Sequence, residues 1–298
     1  SDLPATVSYS NGTYTFANAF FDGDSNVVIT GNNAPNVVLQ ARDDTNLVKG
    51  DLSIHEVNNV KITGQDTAHS SSSYPFVTGS VTIKCSGTVD ISGRSYIMYG
   101  SPDIDAGGNI TLDGHISGTN KITSRNGDIT ITDTGSINGR MTYSAVNGNV
   151  SIATKGDTLY AHSDSKIFVT AKTLTLLVPN ADLSKTTAAL AFTKSSAADP
   201  GTYIVETGTE KGDANNTKTR LIGSHYGEYE NLVNTVPVKS KYLYIGPGEP
   251  NTQPKEVKVS VYSGNWYYAY IGPDDDGKTL TFDASDPRDG SYSGGTVT

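Results

Sequence analysis

Cysteine, tryptophan, histidine and positive charge are all scarce in this chain. Cys85 is the one cysteine of 298 residues, so no internal disulfide is available and packing must hold the fold. It lies in SVTIKCSG, where strand alternation makes it a small apolar packing residue. A nucleophilic thiolate would need a base and an electropositive setting beside it. The five histidines, at positions 55, 69, 115, 162 and 225, make no i,i+4 pair and no short spacing to the cysteine, which excludes the common zinc motifs. Lys and Arg number 22 against 31 Asp and Glu, a net charge of −9. Nucleic acid and anionic membrane surfaces would be repelled. No apolar run reaches the length of a membrane-spanning helix, so membrane insertion is not expected. Nucleophile-elbow and P-loop motifs are missing too.

What is abundant points to β-structure. Glycine occurs 31 times, and tyrosine outnumbers phenylalanine 17 to 7. Short alternating segments recur at 26–30 (NVVIT), 36–40 (NVVLQ), 51–55 (DLSIH), 59–63 (NVKIT), 80–84 (SVTIK), 88–92 (TVDIS), 109–113 (NITLD), 128–132 (DITIT) and 149–153 (NVSIA). Apolar residues two apart put one face of each inward. The segment 166–179 (KIFVTAKTLTLLVP) is the most apolar.

The spacing of these segments carries more than their composition. Gly108-Asn109-Ile110 is followed nineteen residues later by Gly127-Asp128-Ile129, and twenty-one after that by Gly148-Asn149-Val150. Lys166-Ile167-Phe168 comes at a similar interval. A period near twenty is that of a coil whose turns cannot bury their own apolar face and must stack to do so. The Asn-Gly pairs at 126–127, 138–139 and 147–148 serve as corners, where positive φ or a self-capping side chain is expected. A stack of Asn-Gly hairpins is the alternative. The expected fold is all-β: a right-handed parallel β-helix, or β-solenoid, with a small C-terminal antiparallel region.

The rhythm ends near Pro179, giving expected divisions at 1–180 (solenoid), 181–235 (irregular β or short-helix continuation) and 236–298 (antiparallel cap or module). Residues 184–192 read as a short helix or a loosely patterned strand, 202–206 as a strand and 211–219 as a polar loop. Tyr242-Leu-Tyr244-Ile-Gly-Pro247 recurs as Tyr268-Ala-Tyr270-Ile-Gly-Pro273, with an alternating strand at 256–262 between them.

The G-[ND]-[IV]-[TS]-[ILV] phrases between residues 79 and 178 resemble the β-helical repeats of bacterial surface adhesins of the filamentous-haemagglutinin-like and putative-adhesin families. The resemblance implies a secreted or surface-anchored protein of bacterial type whose repeats act as a scaffold. With no convincing nucleophile, metal site or cofactor loop in the sequence, the expected role is non-enzymatic, with a glycan or a host or neighbouring-cell surface protein as partner. The competing expectation is a β-helix lyase or hydrolase acting on acidic polysaccharide. That would need carboxylates and a basic residue converging along the coil, with Asp103 and Asp105 facing Arg125 or Arg140 as the nearest candidates.

Two kinds of site are expected. Trp266, Tyr268 and Tyr270 would share a strand face, and Tyr242 and Tyr244 would extend it into a ring platform for sugars. The competing expectation, which a small domain with few Leu and Phe favours, is that these rings form its core. Asp22, Asp24 and Asn26 space oxygen donors at alternate positions, as a turn around Ca²⁺ would. Asp-Gly turn chemistry explains the same spacing without a metal. No other cofactor is implied.

Overall fold

The computed structural model describes residues 4–21, 26–64, 74–135, 137–157, 159, 165–183, 189–198, 200–220, 225–226, 240–251, 279–280 and 295–296. These form an all-β, parallel stacked solenoid of about seven turns, with no α-helix among the described residues.

The chain alternates between two long sheets. The first has 12 strands, in the order β1 (Thr6–Ser10), β2 (Thr13–Ala19), β4 (Asn36–Ala41), β6 (Val60–Gly64), β8 (Val89–Ile91), β11 (Ile110–Asp113), β14 (Ile129–Asp133), β16 (Val150–Ala153), β18 (Leu174–Leu177), β23 (Tyr242–Pro247), β20 (Tyr203–Gly208) and β21 (Thr217–Arg220). The second has 9, running from β3 (Val27–Thr30) through β5 (Leu52–Val57), β7 (Val81–Cys85), β10 (Asp103–Ala106), β13 (Asn120–Ser124), β15 (Arg140–Ala145), β17 (Lys166–Ala171) and β19 (Ala189–Lys194) to β22 (His225–Tyr226). From β2 to β18 and from β3 to β19 every pairing is parallel. Among the described residues a brief third side closes the turns from Phe21 to Ile116. There Phe21, Val48, Val77 and Met98 bridge in parallel, and β9 (Tyr96–Met98) pairs with β12 (His115–Ile116). A separate pair joins β24 (Thr279–Leu280) to β25 (Gly295–Thr296).

Parallel register stacks like on like. Val37, Val60, Val89, Ile110, Ile129, Val150 and Leu174 form one buried column, and Ile54, Ile83, Ile104, Ile122, Tyr143, Val169 and Phe192 another. Cys85 occupies a corner column between Val57 and Ala106, packed as a small apolar side chain. A third column of the second sheet, Met141, Ile167 and Leu190, is preceded by a polar residue, Asn120. Asn120 is fully buried against Met141, and among the described residues its Oδ1 has no hydrogen-bond partner.

The corners carry a polar ladder. Asn36 Oδ1 accepts the Asn59 N–H at 3.2 Å, Asn59 Oδ1 the Thr88 N–H at 2.8 Å, Asn109 Oδ1 the Asp128 N–H at 2.9 Å, and Asp128 Oδ1 the Asn149 N–H at 2.8 Å. Each side chain thus satisfies a backbone donor one turn on. Strands such as β6, β11, β14 and β16 accordingly begin one residue later than alternation alone suggests, because the leading Asn or Asp belongs to the corner; Asn36 is the exception and opens β4. Positive φ occurs at Gly139 (126°) but not at Gly127 or Gly148. Those two are glycine for space, since a Cβ on Gly127 would overlap Asn109 Oδ1 and one on Gly148 the Gly127 carbonyl.

Arg94 is a second polar element, with only 5% of its surface exposed. Its guanidinium donates to the carbonyls of Thr45 (2.6 Å), Tyr74 (3.0 Å) and Arg42 (3.0 Å), and lies 4.6 Å from the Phe76 ring centroid. Burial lowers its pKa, and the Asp43 and Asp44 carboxylates oppose that shift.

The apolar segment 166–179 is not one element. It bends at Lys172–Thr173, so β17 continues the second sheet and β18 the first. The turn-on partner of Val150 is therefore Leu174, and Lys166–Ala171 pairs with β15 instead. The second sheet runs past residue 180 through β19, a strand rather than a helix. Residues 217–219, expected in a polar loop, fall on strand β21, Thr217–Arg220. The first sheet closes with β23 antiparallel to both β18 and β20. The segment 256–262 lies outside the described residues.

Replacing Asn120 with Leu should raise the unfolding free energy by about 1 kcal/mol, because a desolvated acceptor is removed from an apolar column. Asn109→Ala should lower it by about 0.5–1.5 kcal/mol through loss of one ladder bond. Urea titrations of the two variants and the parent measure both.

Candidate functional site

Of the residues expected to form a ring platform, Trp266, Tyr268 and Tyr270 lie outside the described residues. Tyr242 and Tyr244 fall on β23 and share its outer side, while Leu243 and Ile245 point into the core. Tyr242 is only 2% exposed, so its ring is a packing element and not a surface a ligand reaches. Tyr244 is half-buried opposite Glu206 of β20. Glu206 accepts a hydrogen bond from Asn216 Nδ2 at 2.8 Å. Burial, with Glu206 and then Tyr244 adding, pushes the Tyr242 phenol up to about 12, and Tyr244 shifts the same way for the first two reasons.

Asp22 and Asp24 also lie outside the described residues, and Asn26 is exposed just before β3. Among the described residues, no group of three or more His, Cys, Asp or Glu could hold a metal ion.

The structure brings together a ring cluster that strand alternation does not reveal. On the third side, the β9–β12 pairing sets Tyr96 opposite His115. Their ring centroids are 4.5 Å apart and nearly perpendicular, at 71°. Tyr96 stacks on Tyr99 at 5.7 Å and 26°. Tyr99 itself is 61% exposed, and Ser117 Oγ donates to its carbonyl at 2.7 Å. His115 Nδ1 is hydrogen-bonded to the Thr134 carbonyl, which accepts, so Nδ1 carries the hydrogen and Nε2 is left as an acceptor in the neutral ring. Tyr96 and His115 are nineteen residues apart, the same interval as Ile110 to Ile129. Applying the coil period to the rings would have placed them side by side.

A cleft of about 450 Å³ lies at the end of the second sheet's early strands, lined by Asn32, Asn33, Glu56, Lys84, Cys85 and Arg125 among others. Asp105 and Arg125, one turn apart, form an ion pair beside it, and Arg125 also donates to the Cys85 carbonyl at 2.9 Å. Burial pushes the Cys85 thiol up, which keeps it protonated and unreactive.

Compared with known proteins, the chain matches no family model, no curated protein and no solved structure.

Burial also raises the Tyr143 phenol. A phenol raised in the folded state keeps its proton after the unfolded chain has lost its own. Stability is therefore intact below about pH 10 and declines as pH rises from there through about 12. Melting temperatures measured from neutral to strongly alkaline pH should fall steeply in the parent and less steeply in Tyr143→Phe and Tyr242→Phe.

Proposed function

We propose that this protein is a non-enzymatic extracellular scaffold of adhesin type, which holds a glycan-binding face out from a cell. The observation that carries this reading is the Tyr96–Tyr99–His115 cluster on a backbone paired to its neighbours turn by turn. A large exposed ring costs solubility, and Tyr99 is not needed by the core beneath it. Flat rings stack on the C–H face of a sugar, while hydroxyls and an imidazole nitrogen bond its edge. Support from the coil removes most of the ordering cost that a loop-borne site would incur. The resemblance to adhesin repeats supports the same reading, with secretion or surface anchoring as its corollary.

A second reading, a lyase or hydrolase of acidic polysaccharide, has one observation in its favour. The cleft sets Lys84 and Arg125 near Glu56, cations that suit a uronate carboxylate beside a carboxylate that could move a proton.

Glycan-array binding by the parent should drop at least tenfold in Tyr99→Ala, with an unchanged melting temperature because the ring is exposed. Retained binding in Tyr99→Ala, or silence of the parent across the array, removes the sugar site from the third side. Release of reducing ends from polyuronates, abolished in Lys84→Ala, would favour the enzyme.

A further inference from the structure

We infer that the β1 end of the coil is an interface between two copies of this chain, made by antiparallel pairing of β1 with its counterpart. Four observations meet there.

β1 is the terminal strand of the first sheet, and all five of its residues are exposed. Among the described residues its one strand neighbour is β2. The hairpin turns through Asn11 (φ 49°) and Gly12 (φ 77°), a two-residue turn that closes on the hydrogen-bonded pair Ser10–Thr13. Backbone groups alternate along an antiparallel strand, so Thr6, Ser8 and Ser10 spend theirs on β2. The Phe20 N–H donating to the Pro4 carbonyl at 2.7 Å fits the same parity. Val7 and Tyr9 therefore turn their N–H and C=O groups to the open edge.

The two inner-face side chains of this edge, Val7 and Tyr9, continue the core, while Thr6, Ser8 and Ser10 face the other way. Val7 stands opposite Phe16 and Tyr9 opposite Tyr14, while Tyr14 and Phe16 stand opposite the buried Val37 and Leu39. The inner face of the coil thus runs out into the open at Val7 (53% exposed) and Tyr9 (63% exposed). Tyr9 and Tyr14 lean together, with centroids 4.6 Å apart.

Charge selects the partner. Between residues 3 and 41 the only charged side chains are Asp22 and Asp24, in a chain of net charge −9. This end is where two copies approach with least repulsion. Edge strands are normally guarded by charge, proline or a bulge. β1 has none of these and pairs with β2 without a register shift. At the opposite edge of the same sheet, β21 carries Lys218 and Arg220. The guarded edge opposes head-to-tail growth, and the unguarded one favours a closed head-to-head pair.

Symmetry fixes the register. A two-fold axis at Ser8 sets Val7 of each copy opposite Tyr9 of the other, so each open N–H meets a carbonyl. The β-branched and aromatic side chains then pair on the apolar face. Ser8 meets its own copy as a non-hydrogen-bonded pair, where side chains come closest.

Sedimentation velocity of the full chain across a wide concentration range should show a doubling of mass. Val7→Lys and Tyr9→Lys should abolish it while leaving circular dichroism and melting unchanged. Under mild oxidation Ser8→Cys should give a disulfide-linked dimer, whereas Thr219→Cys on β21 should not, and Cys85 should stay silent. Monomer at every concentration without Ser8→Cys cross-linking overturns the inference. So does a dimer that survives both lysine variants, or one that cross-links equally through Thr219→Cys.

Discussion

A stacked coil obeys one constraint: whatever side chain sits at a position must tolerate its counterpart one turn away, roughly 4.8 Å distant. Aliphatic side chains meet it by forming columns, as Ile54 to Ile104 do. Amides meet it by passing one hydrogen bond from turn to turn, as Asn36 and Asn59 do. Glycines meet it by leaving room for the backbone above. Charges meet it most readily when signs alternate, as where Lys61 stands beside Asp90 and Asp103 beside Lys121, although Asp113 stands beside Asp133. Arg140 stands beside Lys166, and its guanidinium lies over the Phe168 ring at 4.4 Å from the centroid. The repetition of the sequence is this constraint written out.

The long sheets were legible because their strands alternate and because the phrases at 108–112, 127–131 and 148–152 keep a common interval. Phase was harder. Without a glycine or asparagine to mark it, the corner at Lys172–Thr173 is hidden inside an apolar run, so β17 looks like the successor of β16 when it belongs to the other sheet. The third side was illegible for a different reason. Its bridges, such as Val48–Val77, involve single residues, and no alternation can appear in so short a stretch. The ring cluster sits there, outside the part of the pattern that reads easily. The N-terminal hairpin was missed because Asn11-Gly12 closes a true antiparallel turn, whereas the same dipeptide elsewhere only rounds a corner. Tyr242 shows the converse: period two correctly placed it beside Tyr244 on one side of a strand, but burial depends on what packs over the strand, which period does not encode.

The division of labour inside the coil follows from these differences. The two long sheets are tied down by columns and ladders and leave little freedom to vary. The third side carries the shortest strands and the fewest pairings, so bulky side chains such as Tyr96 and Tyr99 are accommodated there without disturbing the stack. The ends differ from both. The last turn is closed by antiparallel strands of the same chain, while in the first Val7 and Tyr9 stay exposed.

Arg94 gives the stack a mechanical grain. Its guanidinium holds carbonyls 52, 49 and 20 residues away in sequence, from loops belonging to neighbouring turns. A load applied along the coil would ordinarily peel turns off singly, each rupture exposing the next. Where this side chain crosses, several layers are riveted and must tear as a block, so the weakest planes of the coil lie away from it.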